Sequence, residues 1–429
     1  MKNFLLNKLR VLLKYLSRGI IRKYEPFVVG VTGSVGKTSA KLAISSVLKS
    51  KFKIRTPGGN LNNELGLPLA IIGDYKAAYG WFFWIKAVLR GLLWLAVHFP
   101  YPEGLVLEYG ADRPGDLGYL LSVVKPDIAV VTAVGDVPVH IEFYENAESV
   151  AAEKSRLVKS LGANGIAVLN ADDPRVAEMG DKAKGKVITF GFGSGAAIRV
   201  IGFENKSENG VPTGIVFKVE YGGSFVPVRI DGVLGRSHAY AAAAAAAVGV
   251  ARGMNLAKIS EALAFYTGER GRTRILPGIK NTYIIDDTYN ASPSSTKLAL
   301  EIMKDIPVAD GRRKIAVLGD MAELGKYTIE AHDAIGGIVS ETADILITVG
   351  EKARFMAEGA LSRGMAKENI ISFGDSETAG KKAQEIMKEG DLVLIKGSQS
   401  ARMERAVLEV MAEPEKAGKL LVRQYGHWI

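Results

Sequence analysis

The chain has 429 residues, enough for two or three domains at about 100–200 residues each, and its apolar share of 48% sustains sizeable cores and argues against wholesale disorder. It contains no cysteine, which excludes disulfides, thiolate catalysis and zinc–cysteine sites and fits a reducing compartment. The formal charge of +9 is unevenly placed: residues 1–25 carry seven lysines and arginines against the single acid Glu25, the remainder is near balance, and no interleaved basic and aromatic pattern points to nucleic acid.

Leu5, Leu6, Leu9, Leu12, Leu13, Leu16, Ile20 and Ile21 recur at helical spacing, with the basic residues between them. No continuous apolar run with a small-residue cleavage site is present, so the segment does not read as a secretory signal. A basic amphipathic helix of this kind either lies on an anionic membrane surface or packs its leucine face on the protein body, and the pattern fits both. Pro26–Val31 then reads as a buried strand, followed by Thr32-Gly33-Ser34-Val35-Gly36-Lys37-Thr38 and a helical pattern from Ser39. Strand, glycine-rich turn and helix start form the context in which backbone amides hold phosphates, Lys37 meets the β- and γ-phosphates, and the Thr38 hydroxyl meets Mg²⁺. The more general form of this loop has a glycine where Val31 stands.

Trp81–Phe99 holds three of the four tryptophans and is about long enough to cross a bilayer, but Lys86 and Arg90 lie near its middle. The preferred reading is an interfacial helix or hairpin partner of residues 1–23, ahead of a buried helix and, last, a transmembrane span. Glu108 ends the apolar strand GLVLEYGA, His140 follows the strand IAVVTAV, and Lys154 lies on the helical stretch ESVAAEKSRLVKSL. Gly191–Arg229 reads as a small β-rich excursion, and the seven alanines after Tyr240 read as a tightly packed helix. Strands at IIDD, IAVLGD, ILITVG and LVLIKG, alternating with helical patterns, predict a second α/β domain. Three regions result: an appendage at 1–25, a central domain at 26–270 with an apolar insertion at about 76–102, and a Rossmann-like domain at 271–429.

Ten short stretches in order carry a resemblance: VTGSVGKTS, GNLNNELGLP from Gly59, LEYGA from Leu107, HIEF from His140, AEKS from Ala152, LNADD from Leu169, Gly271-Arg272, DDTYNA from Asp286, GDMAELG from Gly319 and KGS from Lys396. Together, over about Phe27 to Val407, they resemble the Mur ligase family. DDTYNA and GDMAELG point to its branch that joins D-alanyl-D-alanine to UDP-N-acetylmuramoyl-tripeptide. The resemblance implies a fold with a central phosphate-loop ATP domain and a C-terminal Rossmann-like domain. It also implies ATP-driven conversion of a peptide carboxylate to an acyl phosphate, followed by amine attack, in peptidoglycan precursor synthesis.

By the same resemblance, Gly33, Ser34, Gly36, Lys37, Thr38 and Ser39 hold the ATP phosphates. Arg272 touches phosphate, and Asp287 accepts from the ribose hydroxyls. Thr38, Glu108, His140 and a carbamylated Lys154 serve Mg²⁺, with Lys37, Lys154 and His140 as the catalytic set. Asn60, Asn63, Asn290, Lys396 and Ser398 are expected to face substrate; turn chemistry and helix capping are the plainer uses of such residues. Asp320 and Glu323 match without an assignable role.

Two departures stand out. The family's UDP-sugar-binding domain usually precedes the phosphate loop, and here only the basic segment does, so that domain is expected to be absent and a lipid-linked wall precursor becomes an alternative acceptor. The family's adenine-side asparagines are also missing after Gly235-Arg236, leaving His238 or Tyr240 to stack or bond instead. The expected partners are ATP, UDP-MurNAc-tripeptide or a related precursor, and D-alanyl-D-alanine, with the membrane surface as a further one and no nucleic acid. The expected form is a cytoplasmic monomer, at most peripheral at the inner face of the membrane. A folylpolyglutamate synthetase-like ligase and a non-catalytic nucleotide-binding scaffold at the membrane are the competing readings.

Overall fold

The computed structural model describes residues 2–59, 61–75, 80–135, 143–309 and 311–424. The chain forms two compact units. The first runs to Gly202 and takes in Phe217–Val228 and Ser237–Tyr266; the second comprises Phe203–Val216, Arg229–Arg236 and the described chain from Thr267 onward.

In the first unit come α1 (Lys2–Tyr24), β1 (Phe27–Thr32), α2 (Lys37–Lys49), β2 (Ile54–Arg55), α3 (Gly66–Ile72), α4 (Gly80–Ala96) and β3 (Gly104–Glu108). They are followed by α5 (Asp116–Val123), β4 (Ile128–Val131), α6 (Ala147–Lys159), β5 (Ile166–Asn170), α7 (Pro174–Ala177) and β6 (Lys186–Gly191). The strands stand in the order β2-β3-β1-β4-β5-β6 and are parallel, with β1 between β3 and β4. Their near-continuous apolar runs suit a sheet covered on both faces: β3 and β4 are buried throughout. The sheet continues through β7 (Ile198–Glu208), β8 (Val211–Tyr221) and β9 (Ser224–Asp231), the expected β-rich excursion. Two-residue turns join these strands. Asn209 and Gly210, then Gly222 and Gly223, all have positive φ, the turn that matches the twist of a hairpin. The alanine run lies in α8 (Arg236–Ala251), where Ala241–Ala247 are buried, and α9 (Leu256–Leu263) follows.

The amphipathic start of the chain divides its two faces. Leu13, Leu16 and Ile20 of α1 are buried with Leu67, Ile71 and Leu105 in the core of this unit, while Val11, Leu12 and Tyr15 stay exposed. Helix α4 packs on α1 and α3, as a partner of the N-terminal segment. The two helices are not an antiparallel hairpin, however. A Cβ at Gly91 would meet Leu16, a Cβ at Gly19 would meet Leu95, and Lys23 reaches the carbonyl of Val97, so the contacts climb together and the helices run parallel. The long intervening stretch from β1 to α3 permits that direction. Among the described residues no helix is long and apolar enough to cross a membrane.

The second unit holds β10 (Arg274–Pro277), β11 (Tyr283–Asp287), α10 (Pro293–Asp305), β12 (Lys314–Gly319), α11 (Thr328–Ser340), β13 (Ile345–Val349) and α12 (Arg354–Ser362). It ends with β14 (Ile370–Phe373), α13 (Ser376–Ile386), β15 (Leu392–Lys396), α14 (Glu404–Val410) and α15 (Ala417–Leu420). Its sheet has the order β10-β11-β15-β12-β13-β14, parallel except for β10, with one apolar core on each face. The four predicted strands of this half are β11, β12, β13 and β15.

Candidate active site

Sheet register explains the first cluster. β1 and β3 are neighbours, with Val31 opposite Glu108, so the phosphate loop and the acid at the end of β3 emerge at the same edge. Loops at the C-terminal ends of parallel strands form the ligand crevice of such sheets. Gly33 has φ 147°, and a Cβ there would lie 2.0 Å from Thr132 Oγ1; Gly36 has φ 81°. The loop therefore presses its backbone against the end of β4, where Thr132 Oγ1 also donates to the Val35 carbonyl at 2.6 Å. Lys37 Nζ donates to the carbonyls of Gly33 and Ser34 at 2.8 and 3.3 Å, holding the ammonium over the loop. Ser34 Oγ is buried with no protein partner, and Ser39 is buried on α2.

Thr38 Oγ1 donates to Glu108 Oε2 at 3.1 Å, and Asn62 Nδ2 donates to Oε1 at 3.2 Å. Lys41 Nζ lies 3.3 Å from Glu108 Oε2 and donates to the Gly59 carbonyl. Lys41 and Glu108 are only 2% and 3% exposed, so the charges are desolvated and depend on one another. Neither Lys41 nor Asn62 was among the expected site residues. Lys41 carried one legible signal, a charge one turn after Lys37 on the buried face of α2. Asn63, expected to face substrate, uses its side-chain oxygen to accept from the amides of Leu65 and Gly66 at the start of α3. Asn60 and His140 lie outside the described residues.

Lys154 is 3% exposed on α6. Burial pushes its ammonium down to about 7, the positive charge of Lys37 pushes the same way, and Asp112 and Glu153 oppose them. An ordinary surface lysine would show neither the burial nor the shift. Neighbouring Glu153 is structural: it accepts from the amides of Gly115 and Leu117 at the start of α5 and pairs with Arg156.

The adenine-side expectation changes for His238. Its ring is buried at 1% exposure and its Nδ1 lies 2.9 Å from the Tyr266 hydroxyl, so it is packing in the interior and has no open face for a base. Tyr240 instead donates to Asp172 Oδ2 at 2.8 Å with its ring against Phe192.

In the second unit, register again brings groups together. Asp287 and Lys396 are partners across β11 and β15. Lys396 Nζ donates to Asp287 Oδ2 at 2.6 Å and to the Asn290 carbonyl at 2.9 Å. Burial lowers the lysine and the Asp287 carboxylate opposes that. Asp287 Oδ1 accepts from the Thr273 amide, and Arg272 lies over the Tyr289 ring at 4.1 Å and near Glu269. Asn290 thus enters through its backbone carbonyl. Buried Ser398 lies beside Ser400 and its amide donates to the Asp320 carbonyl. Asp320 accepts from the Ala353 amide, and a Cβ at Gly350 would collide with its carboxyl, so it fastens the turn after β13. Arg423, which sequence reasoning passed over, donates to the carbonyls of Thr288 and Tyr289 and to Glu404, tying down the loop after β11.

The family description "Mur ligase middle domain" matches residues 98–249, and "Mur ligase, glutamate ligase domain" matches residues 271–399. The UDP-N-acetylmuramoyl-tripeptide–D-alanyl-D-alanine ligase of Bacillus subtilis is 26% identical over 403 residues, 94% of this chain and 79% of that protein. The Mycobacterium leprae ligase of the same name is 29% identical over 395 residues, 87% of this chain and 71% of that protein. The MurF ligase of Thermotoga maritima, solved in complex with ADP, superposes with a TM-score of 0.76 at 28% identity, covering 95% of this chain and 84% of that one. With matched middle and ligase domains, a phosphate loop set beside Glu108 and a buried lysine on α6, the chain belongs to the Mur ligase family of ATP-dependent amide ligases.

Proposed function

We propose that this enzyme joins D-alanyl-D-alanine to UDP-N-acetylmuramoyl-tripeptide at the expense of ATP, in the cytoplasm and against the inner face of the membrane. The observation that carries the chemistry is Thr38 Oγ1 at 3.1 Å from Glu108 on a phosphate loop whose lysine is already aimed over it. The choice of substrates rests on the ligases that this chain resembles over most of their length.

Two anions must meet when a carboxylate attacks the γ-phosphate, so fixed positive charge must lie between them. Lys37 supplies one such charge, and the amides of the loop and of the start of α2 supply aligned dipoles. The partnerless Ser34 Oγ is a further donor for phosphate oxygen. The γ-phosphoryl group passes to the carboxylate oxygen as its bond to ADP breaks, and the amine of D-alanyl-D-alanine then attacks the acyl carbon, losing a proton and displacing phosphate to give the amide. In this reading Asp287 accepts ribose hydroxyls, a role supported by its position at the end of β11 and by the bond from Lys396 that fixes its carboxylate.

The donor set also fits Mg²⁺. Thr38 and Glu108 offer adjacent hard oxygens, and Mg²⁺ characteristically takes one or two carboxylates and leaves its remaining positions to water and phosphate. A bound ion would neutralise phosphate charge. Lys154, with its amine near half neutral at pH 7, is suited to add to carbon dioxide and lose a proton, turning a cation into a carbamate oxygen donor. His140 completes the proposed set.

Hydroxylamine trapping tests the intermediate. With ATP, Mg²⁺ and UDP-MurNAc-tripeptide but no D-alanyl-D-alanine, the wild-type chain should yield the tripeptide hydroxamate, and Lys37→Ala should yield none. ATP hydrolysis without hydroxamate would remove the acyl phosphate from the account.

A further inference from the structure

We propose that the parallel helices α1 and α4 form a docking face for the surface of a bilayer containing anionic lipids. This rests on the placement at the membrane given above and assigns it a surface.

Apart from Lys86 and Arg90, helix α4 is built of apolar residues and glycine. One face, with Ala87 and Gly91 buried and Trp84, Val88, Trp94 and Leu95 packed on the core, is accounted for by α1 and α3. The other carries Trp81, Phe82, Ile85, Leu89, Leu92 and Leu93, between 43% and 64% exposed. Their spacing makes one continuous stripe along the helix. A water-facing helix normally turns polar residues outward, and contiguous apolar stripes of this kind mark interaction sites.

The face cannot be hidden by a simple roll of the helix. Leu95 sits against Gly19 and Leu16 against Gly91, so each helix approaches the other through a residue without a side chain. Lys23 caps the end of α4, donating to the carbonyls of Trp94, Leu95 and Val97 at 3.0, 2.9 and 2.9 Å, and Tyr24 adds bonds to Trp94 and Val97. Because the helices run parallel, the exposed Val11, Leu12 and Tyr15 of α1 lie level with the first half of the α4 stripe.

Charge selects the occupant. Residues 2–24 and 80–99 hold nine of the chain's 55 lysines and arginines and none of its 46 acids. The other 46 basic residues therefore balance the acids, and the whole formal charge of +9 resides on these two segments. Exposed Lys86 and Arg22 edge the apolar stripe on α4 and the outer side of α1, where long side chains can keep their ammonium or guanidinium at headgroup level while their stems follow the apolar surface. A protein partner or a second copy would be served by the stripe alone; an anionic lipid surface uses the stripe and the charge together.

The test is cosedimentation of the full chain with vesicles of phosphatidylcholine containing roughly one third phosphatidylglycerol, against phosphatidylcholine alone. Binding is expected to the anionic vesicles only and to weaken with salt. K86Q/R22Q should lower the partition about thirtyfold, and F82S/L89S/L93S about a hundredfold or more. These positions face solvent, so retained ATP binding and an unchanged melting temperature verify the fold of each variant. Equal binding to neutral vesicles would overturn the proposal. So would absence of vesicle binding, including the case in which light scattering shows a dimer that F82S/L89S/L93S disperses. Vesicle binding needs no turnover. A chain that docks but ligates nothing overturns the reaction assigned above, whereas one that ligates soluble substrates and never docks overturns the docking face alone.

Discussion

Asp286→Asn should stabilise the protein at neutral pH and do nothing near pH 4. Asp286 is fully buried at the end of β11. Its Oδ1 accepts from the amide and hydroxyl of Thr288 at 3.2 and 2.6 Å, but its Oδ2 has no partner. Burial raises the carboxyl to about 6; the Thr288 bonds oppose that and neighbouring Asp287 adds to it. The native chain thus holds this proton more tightly than the unfolded chain, where an aspartate titrates near 4. Stability from the proton is complete below about 4, falls as pH rises through about 6, and is absent above. The gap corresponds to about 3 kcal/mol. An amide keeps the Oδ1 acceptor for Thr288 and resembles the protonated acid at the other position, so it escapes the penalty. Urea unfolding of both chains from about pH 4 to about pH 8 should show the variant's advantage growing across that window and level above it. A variant that is less stable at every pH, or whose difference does not vary with pH, would refute the assignment.

Lys41→Met leaves the Glu108 carboxylate buried without its counter-ion, at a cost of about 3 kcal/mol, and the variant should gain more than the wild type in melting temperature when Mg²⁺ is added. Gly33→Ala places a Cβ against Thr132 Oγ1 at a φ of 147°, so ATP affinity measured by calorimetry should fall at least about tenfold. In ¹³C NMR with labelled bicarbonate, a carbamate resonance should strengthen as pH rises through about 7 and be missing from Lys154→Met; a resonance that persists in the variant would remove Lys154 from that role.

What was legible in the sequence is what local pattern determines. The phosphate loop lies between a buried strand and a helix, and Asp287 and Glu108 close apolar runs, so their places at strand ends could be read without knowing the sheet order. The β-rich excursion at Gly191–Arg229 was legible as well, whereas its two hairpin turns, Asn209-Gly210 and Gly222-Gly223, show themselves through their positive φ in the structure. What was missed depends on contacts distant in sequence. Asn62 and Lys41 matter because β1 and β3 are neighbours and set them on Glu108, 46 and 67 positions along. Arg423 reaches the loop after β11 from the far end of the chain. The Lys396–Asp287 pair follows from β15 inserting beside β11, an order no local pattern shows. His238 was misjudged because a polar residue in a motif position looks available until Tyr266 is found against it. For α1, spacing could not choose between packing and exposure because the helix does both, one on each face.

The most direct test of the central claim is phosphate release from ATP and Mg²⁺ with UDP-MurNAc-tripeptide and D-alanyl-D-alanine, with the product weighed by mass spectrometry. The account predicts release that requires both substrates and a UDP-MurNAc-pentapeptide product. A folded, ATP-binding chain that yields no pentapeptide from these substrates would contradict it.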